Sequence, residues 1–71
     1  MVMTSKELVE QVVAIPNKTA KLIKKKNKAI VNIFKNNNLY PCLVIPFTSV
    51  YRARSFLSVV GIYKYEEEKE I

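Results

Sequence analysis

Few side chains in this 71-residue chain could carry out covalent or proton-transfer chemistry: it has no histidine and no aspartate, and its one cysteine is Cys42. A cysteine nucleophile needs a neighbouring base, and a structural zinc site needs a cluster of thiolate, imidazole or carboxylate ligands. Cys42 has neither in its surroundings, and it stands in the apolar run LYPCLVIPF, where a small buried hydrophobe is the expectation. Paired-carboxylate catalysis would fall to Glu7 and Glu10 on an exposed helical turn, or to the glutamates of the C-terminal EEEKEI. The composition therefore points away from an enzyme, with no metal and no cofactor called for.

The chemistry the chain does offer is ionic. Twelve Lys and Arg against six Glu give a net charge of +6, and residues 17–38 alone carry +7 while residues 66–71 carry −3. The stretch KLIKKKNKAIVNIFKNNN holds six lysines and no acid. Wound at 100° per residue, it gathers Lys21, Lys24, Lys25, Lys28, Asn32, Lys35 and Asn36 onto one polar arc. Like charges three or four residues apart destabilise a helix, and an ordinary solvated face interleaves Glu with Lys. A ligand with spaced negative charges would relieve that repulsion, and nucleic-acid phosphates have the right chemistry. The expected contacts are Lys21, Lys24, Lys25, Lys28 and Lys35 on phosphates, with Asn32 donating to phosphate, sugar or a base edge. Arg52 and Arg54, beside Tyr51, are expected auxiliaries. A long exposed helix favours DNA slightly over RNA, because it suits a major groove. The lack of Trp, and of large apolar residues bordering the lysines, argues against a membrane surface.

The elements that must position these groups follow from patterning. In MTSKEL, Thr4 and Glu7 form a capping box and Met3 can staple onto Leu8, so a helix is predicted over about residues 5–14, ended by Pro16. A second helix is predicted over about residues 18–37, closed by the asparagines; the interruption at KKNK also permits two short helices around Asn27. Pro41 and Pro46 mark an edge strand over about 40–47, and SFLSVVGIYKY reads as its partner over about 55–65, with Gly61 marking a bulge or a close backbone approach. Val50, Ala53, Leu57 and Val60 also share one side of a helix that Ser49 could cap, so this last segment has a helical alternative. The expected class is α+β: two N-terminal helices followed by a β-hairpin.

KELVEQVVAIPNKTAKLIKK loosely resembles a helix-turn-helix, which implies an alternative winged-helix-like order of three helices and a hairpin. Val13, where that turn usually has glycine, and Thr19, where its second helix buries an aliphatic residue, depart from the pattern.

Residues 1–65 are expected to form a single small basic domain, with 66–71 an acidic tail, solvated and loosely ordered, that could fold back on the lysines and compete with a polyanion. A chain this short buries a modest share of its surface, and a doubly apolar last strand would need cover from outside. Leu57, Val59, Tyr63 and Tyr65 form the face that calls for it, so a homodimer or a place in a larger complex is expected. No secretory signal pattern opens the chain, which implies a cytoplasmic location. The leading functional expectation is a non-catalytic nucleic-acid-binding accessory of a replication, transcription or ribosomal assembly. The alternative is a protein-interaction subunit or inhibitor that docks through its apolar C-terminal strand.

Overall fold

A computed structural model describes residues 5–36 and 38–69. The first helix, α1 (Ser5–Ala14), forms where patterning places it: Val12 is fully buried, Leu8, Val9 and Ile15 pack beside it, and Lys6, Glu10 and Gln11 face out. It ends before Pro16, which cannot donate to the helical ladder. Met3 and Thr4, the staple and cap of the expected start, lie outside the described residues.

The lysine-rich segment is not a helix. It is an antiparallel hairpin of β1 (Lys18–Lys24) and β2 (Ala29–Lys35), registered from Lys18 opposite Lys35 to Lys24 opposite Ala29. Neither the continuous helix over 18–37 nor the pair of short helices exists, and the break at KKNK is the hairpin turn. There the Lys25 N–H donates to the Lys28 carbonyl at 2.9 Å. The segment obeys period 2 as well as period 3.6: Ala20 and Leu22, with Ala29, Val31 and Ile33, are buried on one face. The β-branched residues Thr19, Ile23, Ile30, Val31 and Ile33 suit that pleated surface. Asn17 and Asn36 close the open end of the hairpin from the left-handed region, at φ 49° and 53°. Asparagine tolerates that conformation, here to leave a strand rather than to end a helix.

The expected edge strand is present as β3 (Leu43–Phe47), which among the described residues pairs only with β2. Pro46, lacking an N–H, is accommodated because β3 lies at the sheet's edge. The expected partner strand is instead helix α2 (Val50–Val59), followed by a loop. Ser49 caps it by accepting from the Arg52 N–H at 3.2 Å, and Ala53 and Leu57 are buried beneath it. Of the expected acidic tail, Glu66–Lys69 form β4, which pairs in parallel with β1, and residues 70 and 71 lie outside the described residues.

Among the described residues, two helices and a four-stranded mixed sheet in the order β3-β2-β1-β4 make an α+β fold, without the helix-helix-hairpin order or the three helices of a winged-helix arrangement. By the pairing directions β3 and β4 run the same way, so α2 carries the chain from one edge of the sheet to the other across β2 and β1. Both helices contribute to a single core on one face: Val12 from α1 and Ala53 and Leu57 from α2 join the buried strand residues, Val60 and Ile62. The opposite face carries Ile23, Ile30, Phe34, Val44 and Pro46 in partial or full exposure.

Gly61 has a different role from the expected bulge. After α2 it takes φ 82°, the Gly61 N–H donates to Ser58 O at 3.1 Å and the Ile62 N–H donates to Leu57 O at 2.8 Å. This is the Schellman closure, with buried Leu57 and Ile62 supplying its usual apolar contact. A Cβ at position 61 would meet nothing within 4 Å. The cost of Gly61→Ala is therefore conformational alone, expected at about 1 kcal/mol from the strain of an L-residue in the left-handed region. Urea unfolding of the variant measures it, and an unchanged midpoint would contradict the left-handed cap.

Candidate polyanion interface

The hairpin distributes the expected cations very differently from a helical arc. Along a strand successive side chains alternate between faces, so Lys21 points to the helix-free face while Lys24 points to the helix side. Asn32 lies opposite Lys21 on the helix-free face, half-buried between it and Val44. Lys35 is exposed at the far end of β2, roughly 20 Å from the turn by strand rise. Arg52 is exposed in the first turn of α2, and Arg54 one half-turn on reaches toward β4.

Three of these cations are already engaged by β4. Lys21 Nζ lies 2.9 Å from Glu68 Oε1 and Lys24 Nζ 3.2 Å from Glu67 Oε1. Arg54 grips Glu67 with two donors, Nε to Oε2 at 3.2 Å and an Nη2 contact of 2.8 Å to Oε1. The Arg54 hydrogen bonds, followed by the Lys24 contact, hold the Glu67 carboxyl below its ordinary range. Glu68 raises the Lys21 ammonium, and Glu67 the Arg54 guanidinium. The register explains the pattern: Glu67 stands beside Leu22 on the helix side, where Arg54 arrives from α2, and Glu68 stands beside Ile23 on the other face, where Lys21 lies. The acidic segment does fold back on the lysines, as an added strand rather than a loose tail.

What the tertiary structure brings together is the turn end of the sheet. Lys24, Lys25, Lys26, Val50 and Lys69 line one depression there. Lys25, Lys26, Asn27 and Lys28 line a second with Thr48, Ser49 and Val50, where α2 begins. Lys26, Lys28 and Lys69 pair with no carboxylate among the described residues. Lys26 and Lys69 were not among the expected contacts. Lys26 interrupts the apolar side of the helical arc, and Lys69 sits within an acidic run. Only strand pairing, which sets Lys69 opposite Lys24, brings the two together.

The residues expected to form an apolar docking face do not share one. Leu57 is fully buried in the core, Tyr65 packs against that core, and Val59 and Tyr63 are exposed on the end of α2 and the loop beyond it. Cys42, expected to be buried, is exposed at the approach to β3, on the alternation that points away from the core. No helix among the described residues is long and apolar enough to cross a membrane.

The chain matches no protein-family model, no curated protein and no solved structure.

Proposed function

We propose that this is a non-catalytic nucleic-acid-binding protein that holds phosphates with the turn end of its β1–β2 hairpin. The carrying observation is the convergence of Lys24, Lys25, Lys26, Lys28 and Lys69 at one end of the sheet. Each lysine that neutralises a phosphate also releases condensed counterions, so binding is electrostatic and strongly salt-dependent. The start of α2 beside the turn adds a weak favourable field for anions. Sequence discrimination is slight, because flexible ammonium groups position a backbone rather than read base edges. The preference for DNA no longer rests on a long helix in a major groove. It rests instead on the turn, since a two-stranded ribbon also enters that groove. An accessory place in a larger nucleoprotein assembly fits the size of the domain, and the partly apolar outer face is the surface such an assembly, or a second copy, would cover.

Anisotropy of a labelled 20-base-pair duplex, titrated across salt, tests this. The logarithm of affinity should fall linearly with the logarithm of salt, and Lys26→Ala and Lys28→Ala should each reduce the slope by about 0.9. Lys35→Ala, at the opposite end of β2, should change it less. Absence of binding at low salt, or equal losses at all three positions, would refute phosphate binding through the turn.

A further inference from the structure

β4 is held in an unusual way for part of a sheet. All four of its residues are exposed, and none is apolar. The hydrophobic effect therefore contributes little to its docking, which relies on one parallel ladder and exposed ion pairs, both modest contributors. It also covers only part of the available edge: its partners are Lys21 to Lys24, and the first three residues of β1, Lys18 to Ala20, have no strand partner on that side among the described residues. When β4 lifts, the whole β1 edge offers unpaired backbone groups, with Lys21 on one flank and Lys24 and Arg54 on the other. An exposed strand edge is a template for another strand.

We propose that the β1 edge is a docking site for an extended acidic peptide from a partner protein, occupied in this chain by β4 as an internal stand-in. The bound strand defines what fits. The ligand runs parallel to β1 and carries two consecutive carboxylates, which alternation sends to opposite faces. One reaches Lys21 as Glu68 does, and the other reaches Lys24 and Arg54 as Glu67 does. A longer strand can outcompete β4 because it extends the ladder over residues 18–20, where β4 makes none. Of the lysines proposed to hold phosphates, Lys24 belongs to both surfaces and Lys69 to β4 itself, whereas Lys26 and Lys28 lie beyond this edge in the turn and are the positions that tell the two surfaces apart.

The test uses the full chain and a fluorescein-labelled peptide with the sequence of residues 62–71, IYKYEEEKEI. An internal strand competes at an effective concentration on the order of millimolar, so binding to the unaltered chain is expected to be weak. Glu67→Gln/Glu68→Gln in the chain weakens that competitor and should tighten peptide binding about tenfold. Lys21→Glu/Arg54→Glu should abolish it, while Lys26→Ala/Lys28→Ala should leave it unchanged. A peptide with glutamine at the two corresponding positions should bind at least about tenfold more weakly. The proposal is overturned if the glutamine peptide binds equally well, if weakening β4 has no effect, or if Lys21→Glu/Arg54→Glu abolishes duplex binding while sparing the peptide. That last outcome would assign the edge to phosphates.

Discussion

Leu57→Ala should lower the unfolding free energy by about 3 kcal/mol, a large fraction of what a single small domain possesses. Leu57 is fully buried between α2 and the sheet, and its carbonyl accepts the Ile62 N–H that closes the helix. Truncation removes apolar contacts and leaves a cavity that the short helix cannot collapse around without breaking its capped end. Val59, two residues on and 67% exposed, is the internal control, for which Val59→Ala should change stability by less than about 0.5 kcal/mol. Urea unfolding followed by circular dichroism separates the two. Equal, small effects would mean that α2 does not present Leu57 to the core, and the helix would have to be replaced by the strand first expected there.

Glu67→Gln/Glu68→Gln should make the protein a stronger and more salt-sensitive binder of duplex DNA. The two carboxylates pair with Lys21, Lys24 and Arg54, and removing them frees up to three further cations for phosphate, Lys24 of the turn cluster among them. The salt slope should steepen by as much as about 2.7. Acid should act in the same direction. The folded-state pKa of Glu67 is depressed, so its contribution to β4 docking is fully present above the ordinary carboxylate range and is lost as pH falls through the depressed value. Lys21 sets the other limit: its pKa is raised by Glu68, so its contribution holds below the ordinary lysine range and disappears as pH rises through the elevated value. Amide resonances of residues 66–69 should therefore lose dispersion in acid before those of β2 do. An unchanged slope in the glutamine variant would show that β4 does not mask cations that DNA can use.

The like-charge crowding of residues 21–28 carries a lesson about reading such runs. On a helix it implies strain that a ligand must relieve. On the hairpin the crowding is relieved along β1, where Lys21 and Lys24 lie on opposite faces and each meets its own glutamate from β4, and is concentrated at the turn. The repulsion was thus evidence against the helix as much as for a ligand. Apolar pairs such as Leu22–Ile23 and the run from Ala29 to Val31 satisfy both periods, which is why periodicity alone could not decide. Segment 50–60 was ambiguous for the same reason. There the helical set Val50, Ala53, Leu57 and Val60, with Ser49 as its cap, proved to be the one realised.

Sequence alone determined what depends on neighbouring residues: the first helix and its end at Pro16, the edge position of a strand containing Pro46, and the concentration of positive charge between residues 17 and 38. Those features follow from backbone restrictions, side-chain alternation and simple composition. The tertiary structure decided what depends on distant partners. It turned the lysine run into a hairpin by burying Ala20, Leu22, Ala29, Val31 and Ile33 under the helices. It also drew an acidic run from the far end of the chain onto β1, leaving the turn and Lys69 as the cationic end. Strand pairing joins residues more than forty positions apart, and no local propensity encodes which edge such a segment will meet.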